Sequence, residues 1–174
     1  MTPERAPASP SAWIMAQAKC WPEDGRLLDF ACGRGRHSRA LAPRFEVLAV
    51  DRDREALNSL AGQPRISTLA CDLEADEDWP FAAQKFDVVV VTNYLFRPKL
   101  RQIFDLVAVG GYIAYETFGA GNAAFGRPKN PDFLLHEGEL AAAIPAHFSI
   151  IEQFHGTINT PHSAVIQRLA AQHA

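Results

Sequence analysis

Short apolar runs alternate along the chain with stretches whose apolar residues follow a helical spacing. The most continuous run is Val88–Val91, four valines in succession, which is typical of a strand covered on both faces. We predict strands at residues 26–31, 46–50, 65–71, 86–91 and 112–117, and helices at 36–42, 54–60 and 99–107. This alternation indicates βαβ units and a parallel sheet with helices on both faces.

The two ends of the chain extend this pattern. Ser11 is suited to cap a helix over residues 11–21, and a loop at 119–131 leads into a short helix at 137–143. Two last apolar runs, at 148–153 and 164–169, predict an antiparallel hairpin at one edge of the sheet. We therefore predict an α/β fold, a three-layer α/β/α Rossmann-like sandwich around a mostly parallel, seven-stranded sheet. A loose tail at residues 1–10 precedes this single domain of residues 11–174.

Composition narrows the partners that such a domain can bind. The 174 residues carry a formal net charge of −3 and an isoelectric point near 6.1, which disfavours nucleic acid. The cysteines Cys20, Cys32 and Cys71 form neither a CxxC pair nor a zinc-binding pattern, so no metal site is expected. Because no apolar stretch has the length of a signal peptide or a membrane span, we expect a cytoplasmic protein without a membrane partner.

The first predicted strand runs into an acid and a glycine-containing turn, LLDFACGRGRHS at residues 27–38. Gly33 and Gly35 allow the backbone to approach a ligand closely. A dinucleotide fingerprint would have a third glycine at Ser38, and Asp29 would repel a pyrophosphate, so a dinucleotide is disfavoured. A carboxylate suits S-adenosylmethionine instead, because this molecule has a sulfonium and an amino group but no phosphate.

Two further acids stand at the ends of the next two predicted strands. Asp51 closes the second strand, where a carboxylate can accept hydrogen bonds from both hydroxyls of a ribose. Asp72 follows the third strand, where it can receive an adenine amino group while Leu73 packs on the ring. Each acid alone is more typical of a helix cap or a solvated loop. Three acids at three successive strand ends predict a nucleoside-type ligand.

Five segments, LLDFACGRG, VLAVDRD, CDLE, FDVVVVTNYLFRP and VGGYIAYETF, resemble the class I S-adenosylmethionine-dependent methyltransferase family in this order, over residues 13–169. Ala31 stands where the family usually has its first loop glycine. Within the family the chain is similar to the short bacterial small-molecule branch, with tellurite-resistance-type and thiopurine-type methyltransferases. The resemblance implies that S-adenosylmethionine is the cofactor and that it is bound by Asp29, Ala31, Cys32, Gly33, Gly35, His37, Asp51, Arg52, Asp72, Leu73, Asn93 and Tyr94.

The resemblance also places the transferable methyl group near the end of the fourth strand, at Asn93 and Tyr94. Family members that methylate exocyclic nitrogens often carry Asn/Asp-Pro-Pro-Tyr here, whereas this chain has Asn-Tyr-Leu-Phe. Adenine and glutamine nitrogens are therefore poor candidates for the acceptor. The carbonyl groups of Asn93 can hold the cofactor, and Tyr94 either borders the methyl group and the acceptor or only packs in the core.

The candidate catalytic residues are Tyr94, Glu116 and His37, with His136 and His155 as further candidate bases. Methyl displacement at a sulfonium needs chiefly in-line positioning and the exclusion of water, so a general base is not obligatory. His37 begins the helix after the glycine turn and is either a cofactor contact or an exposed residue of the first helical turn.

Charged residues near the fifth strand allow two interpretations each. A buried carboxylate at Glu116 needs a partner such as Arg127 or Arg97, and a structural ion pair fits the sequence at least as well as catalysis. The segment at 119–136 carries Arg127, Lys129 and Asn130 among glycines and aromatic residues. This composition is typical either of a lid over an anionic substrate or of a solvated loop.

Together these features predict a methyltransferase that transfers a methyl group by in-line displacement to sulfur, oxygen, nitrogen or a metalloid of a small molecule. We expect a monomer or a homodimer. One alternative is the same fold acting on RNA or protein, and another is a non-catalytic module that binds S-adenosylmethionine or S-adenosylhomocysteine. A nicotinamide-dependent oxidoreductase is the third alternative, which Ser38 and Asp29 disfavour.

Overall fold

A twisted sheet of seven strands forms the centre of the protein. The computed structural model describes residues 8–174, so most of the predicted tail at residues 1–10 lies outside the described residues. The first five strands in the order β3-β2-β1-β4-β5-β7-β6 pair in parallel, and β7 pairs antiparallel with both β5 and β6. The strands are β1 (Arg26–Phe30), β2 (Glu46–Asp51), β3 (Ile66–Ala70), β4 (Phe86–Thr92), β5 (Val107–Phe118), β6 (Phe148–Ile158) and β7 (Ala164–His173).

Short helices cover both faces of this sheet, with α1, α2 and α3 on one face and α4 and α5 on the other. Side chains of β1 alternate accordingly, since Leu27 enters one core and Leu28 and Phe30 enter the opposite core. The predicted three-layer α/β/α fold is confirmed. The helices are α1 (Ala12–Gln17), α2 (Arg36–Leu41), α3 (Arg54–Asn58), α4 (Leu100–Phe104) and α5 (Glu139–Ala143), with 3-10 turns at Ala18–Cys20, Arg97–Lys99, Asn122–Ala124 and Pro131–Phe133.

Side-chain caps fix the starts of two helices on the first face. Ser11 caps α1 as predicted, because its hydroxyl oxygen accepts a hydrogen bond from the backbone N–H of Ile14 at 3.4 Å. The Asp53 carboxylate accepts one from the N–H of Ala56 at 3.0 Å and caps α3. Such caps satisfy amide groups that the first turn of a helix leaves without an intrahelical partner.

The main departure from the predicted elements surrounds Gly110 and Gly111. The predicted helix at 99–107 is a 3-10 turn followed by the shorter α4, and β5 begins before the two glycines, not after them. Gly110 has φ +80°, and the pairing of β4 with β5 shifts register between Phe86 and Val88. The glycine pair therefore forms a bulge inside a strand, where the sequence suggested a turn in front of one.

The C-terminal hairpin is longer than the predicted runs at 148–153 and 164–169. Its ladder continues from the pair Phe148–His173 to the pair Ile158–Ala164, next to the connecting turn. Half-exposed polar residues take part in this ladder, so hydrophobicity alone underestimates the length of both strands. As a result, β7 has a neighbour on each side and β6 forms an edge of the sheet.

Candidate functional site

The turn after β1 has the backbone conformation that its glycines allow. Ala31, Gly33 and Gly35 have φ values of +55°, +54° and +70°, in the left-handed region. A Cβ atom added to Gly33 would meet no atom within 4 Å, whereas one added to Gly35 would lie 2.5 Å from Cδ1 of Leu60. Gly35 therefore permits packing against the residues after α3, and Gly33 leaves open space beside the turn.

Asp29 lies underneath this turn and is 1% exposed. Its Oδ2 atom accepts hydrogen bonds from the backbone N–H and the hydroxyl of Ser38, at 2.9 and 2.6 Å. Burial raises the pKa of the Asp29 carboxyl to about 6, although both hydrogen bonds from Ser38 favour the charged form. The residue that replaces the third glycine of a dinucleotide fingerprint thus anchors the buried acid.

Asp51 connects the end of β2 to the same turn. Its two carboxylate oxygens accept hydrogen bonds from the backbone N–H of Gly33 at 2.8 Å and of Asp53 at 2.9 Å. A carboxylate oxygen has a second lone pair, so Asp51 retains the capacity to accept hydrogen bonds from a ligand. Asp72, after β3, is exposed and accepts one from the N–H of Glu74 at 3.0 Å.

A cavity of about 410 Å³, the size of a ligand pocket, follows the carboxyl ends of the parallel strands from β3 to β5. Ligands of open α/β sheets bind outside these strand ends. The predicted site residues in its lining are Ala31, Asp51, Arg52, Asp72, Leu73, Asn93 and Tyr94. The predicted residues outside its lining are Asp29, Cys32, Gly33, Gly35, His37 and Glu116.

Sequence reasoning missed half of the cavity wall. The additional lining residues are Cys71, Glu74, Leu95, Thr117, Phe118, Pro128 and Phe133. Several of them lie next to predicted positions in the sequence or at the end of the fifth strand, and this proximity could have identified them. Pro128 and Phe133 belong to the predicted lid segment, but its predicted substrate contacts Arg127, Lys129 and Asn130 are absent from the described lining.

Tyr94 combines a buried hydroxyl with a position in the cavity wall. Asn93 has φ +54° and turns the chain at the end of β4, and the Tyr94 carbonyl then accepts a hydrogen bond from the Tyr115 hydroxyl at 2.7 Å. The Tyr94 ring packs edge-on against Phe30 with centroids 5.2 Å apart. Its Oη atom is buried and has no hydrogen-bond partner among the described residues, and burial raises the pKa of Tyr94.

His37 is buried and faces α1, not the cavity. Its Nε2 atom accepts a hydrogen bond from the backbone N–H of Ser11 at 3.0 Å, and its side chain is 1% exposed. Burial and the charge of Arg36 lower the pKa of His37 to about 3, so the ring stays neutral near pH 7. Of the two alternatives for His37, the exposed first-turn residue is wrong, and the cofactor contact stays a prediction for a residue outside the described lining. The lone pair that a general base needs is already occupied.

Glu116 forms an ion pair, but with neither of the predicted partners. Its Oε2 atom lies 2.6 Å from Nε of Arg168, which stands opposite on β7. The Arg168 guanidinium lies 5.4 Å from the centre of the Trp13 ring, so the pair belongs to the face of the sheet that α1 covers. Arg97 pairs instead with Glu139 at 2.6 Å. The ion pair with Arg168 therefore agrees with a structural role for Glu116.

The two remaining candidate bases also stand outside the lining of the cavity. The His155 Nδ1 atom lies 3.1 Å from the Gln167 side-chain amide. The backbone N–H of His136 donates to Glu139 at 2.8 Å.

Between residues 8 and 174, no helix is long and apolar enough to cross a membrane, and no group of three or more His, Cys, Asp or Glu residues could hold a metal ion.

Comparison with known proteins finds one matching family model, which covers part of the chain. A family model described as a methyltransferase domain matches residues 27–111, which include most of β1, the glycine-containing turn and the three strand-end acids. A search of curated proteins finds no match for the chain.

Solved structures share the fold at low sequence identity. TehB from Haemophilus influenzae has a TM-score of 0.77 and 19% identity over 95% of this chain, which spans 63% of that protein. An S-adenosylmethionine-dependent methyltransferase from Methanosarcina mazei has a TM-score of 0.68 and 18% identity, with 95% of this chain and 98% of that one covered. The glycopeptide N-methyltransferase MtfA, complexed with S-adenosyl-L-homocysteine, has a TM-score of 0.65 and 17% identity, with 96% and 91% covered. At these identities the likeness shows the fold.

Proposed function

We propose that this chain, a methyltransferase domain with the class I fold, binds S-adenosylmethionine along the strand ends and methylates a small molecule beside β5. The observation that carries the proposal is the continuous cavity from the acids after β2 and β3 to the aromatic residues after β4 and β5. The bound ligand named for MtfA, a nucleoside thioether, supports the same cofactor here.

The cofactor fits the residues at the β2 and β3 side of the cavity. Asp51 accepts hydrogen bonds from the ribose hydroxyls, Asp72 accepts one from the adenine amino group, and Leu73 packs on the adenine ring. The open space beside Gly33 leaves room for the amino acid part, and the charge of Asp29 below the turn favours the positively charged groups of the cofactor.

The chemistry requires little acid–base assistance from the protein. S-adenosylmethionine supplies an electrophilic methyl carbon, so that an acceptor lone pair forms the new bond, the electrons of the C–S bond return to sulfur, and any proton that the acceptor loses passes to bulk solvent outside the site. Because the candidate bases His37, Glu116, His136 and His155 lie outside the lining of the cavity, we assign the chain two tasks, positioning the acceptor and excluding water. Three free thiols, at Cys20, Cys32 and Cys71, support a reducing compartment such as the cytoplasm.

Calorimetric titration tests the cofactor half of the proposal. We expect S-adenosylhomocysteine to bind and NAD not to bind. Asp72→Asn should weaken binding about ten-fold, because an amide N–H₂ would face the adenine amino group, while Asp76→Asn, an exposed acid outside the lining, serves as the control. Tight binding of NAD without binding of the thioether would overturn the proposal.

Transfer of a tritiated methyl group tests the acceptor half. An extract from cells that lack the protein is incubated with the protein and labelled S-adenosylmethionine, then separated into small molecules, RNA and protein. We expect label in the small-molecule fraction. Label in RNA or protein instead would contradict the proposed acceptor class, and binding of the thioether without transfer to any fraction would indicate a non-catalytic module.

A further inference from the structure

The two halves of the cavity differ in the charge of their lining. The described charged residues of the lining are Asp51, Arg52, Asp72 and Glu74, and all four end or follow β2 and β3. Along β4, β5 and the segment 119–136, the lining consists of apolar, aromatic and uncharged polar side chains. The half that the proposed acceptor occupies, called here the acceptor half, therefore offers no full charge among the described lining residues.

Cationic residues adjacent to the acceptor half are either paired with another residue or absent from the described lining. Pro128 contributes to the wall, whereas its neighbours Arg127 and Lys129 are exposed and outside the described lining. Arg97 forms its ion pair with Glu139 at 2.6 Å. The one cation of the described lining, Arg52, lies at the β2 side, so an anionic acceptor would lose hydration without gaining a cation from the described lining of the acceptor half.

Aromatic side chains define what this half can recognise. Tyr94, Phe118 and Phe133 contribute three rings to the wall, and aromatic rings pack favourably with flat apolar molecules. The Tyr94 ring lines the cavity, whereas its Oη atom is buried, so recognition in this half rests on ring contacts.

We propose that the methyl acceptor is a neutral aryl compound, held by Phe118 and Phe133. This inference rests on the proposed function and specifies its substrate class. It excludes metalloid oxyanions and carboxylated acceptors, and it replaces the anionic substrate that Arg127 and Lys129 suggested in the sequence.

Calorimetry on the protein saturated with S-adenosylhomocysteine tests the substrate class, with 2-naphthol and its charged counterpart 6-hydroxy-2-naphthoate as probes. We expect 2-naphthol to bind at least about ten-fold more tightly, since the carboxylate would be desolvated without a partner. Equal or tighter binding of the carboxylate, or binding of tellurite in its place, would overturn the inference and leave the cofactor site intact. Failure of S-adenosylhomocysteine to bind at all would overturn the proposed function itself.

Two phenylalanines in one segment provide a matched pair of variants. Phe125 and Phe133 are each 48% exposed, but only Phe133 belongs to the described lining of the cavity. Phe133→Ala should weaken 2-naphthol binding about ten-fold and leave thioether affinity unchanged, because it removes one aromatic wall of the acceptor half. Phe125→Ala should change neither affinity. Equal effects of the two substitutions would refute the assigned wall.

Discussion

Replacing Asp29 by asparagine tests how strongly burial opposes the charge beneath the glycine-containing turn. The pKa of the Asp29 carboxyl is about 6 in the folded protein, against an ordinary value of 3.8. Between these values the unfolded chain has lost the proton and the folded chain still holds it, so stability decreases as pH rises. This difference between the two pKa values corresponds to about 3 kcal/mol of folding stability. The stability is fully present below about pH 4 and is lost above about pH 6.

The assay is urea denaturation of the wild type and of Asp29→Asn at several values between pH 4 and pH 7. Asparagine keeps an oxygen that can accept the hydrogen bonds from Ser38 but has no proton to lose, and other titrating groups cancel in the difference. The free energy of unfolding of Asp29→Asn, relative to the wild type, should therefore rise by about 3 kcal/mol across this range. A constant difference would refute the reasoning.

Ser38→Ala tests a contact at the same site that favours the charged form of Asp29, where burial opposes it. Both hydrogen bonds from Ser38 favour the charged carboxylate, and this variant removes the one from the hydroxyl at 2.6 Å. We expect the pH-dependent loss of stability to begin at the same pH, which the unfolded chain sets, and to extend about one unit higher, because a charge-assisted hydrogen bond is worth about 1.5–3 kcal/mol. An upper limit at lower pH than in the wild type would contradict the assignment of this bond.

Three further substitutions test the turn and the ion pair. Gly35→Ala should lower the free energy of unfolding by about 2 kcal/mol in urea denaturation, because its Cβ would lie 2.5 Å from Leu60 Cδ1 at a left-handed φ. Gly33→Ala should lower the free energy of unfolding by only about 1 kcal/mol but weaken binding of S-adenosylhomocysteine about ten-fold in calorimetry. Unchanged affinity would exclude a ligand from the open space beside Gly33. Glu116→Gln should cost about 3 kcal/mol by leaving the Arg168 charge unpaired, with thioether affinity retained. Loss of methyl transfer at full stability would restore a catalytic role to Glu116.

The sequence predicted those features of the fold that depend on local patterns. The four valines of β4 and the cap at Ser11 were recognisable because burial on both faces and capping chemistry leave direct traces in the sequence. The bulge at Gly110 was not recognisable, since a glycine pair serves equally in a turn and in an irregular strand. Its conformation depends on the pairing between β4 and β5, which local sequence does not encode.

The same distinction between local sequence patterns and tertiary contacts applies to the site. Asp51 and Asp72 were predicted from their positions at strand ends, and both line the cavity. The partner of Glu116 could not be predicted, because the register that brings Arg168 opposite it joins strands 52 positions apart in sequence. For His37, the burial beneath α1 that lowers its pKa arises only from tertiary packing.

The central position of β7 bears on how the protein is made. Strand β5 gains its second neighbour only when β7, the last strand in chain order, inserts between β5 and β6. Until β7 has been synthesised, β5 remains an open edge, while the remainder of the parallel sheet can already assemble. Thr117 and Phe118, at the end of β5, stay without this neighbour until then. We therefore expect the nucleoside half of the cavity to form first and the acceptor half to be completed only when β7 inserts.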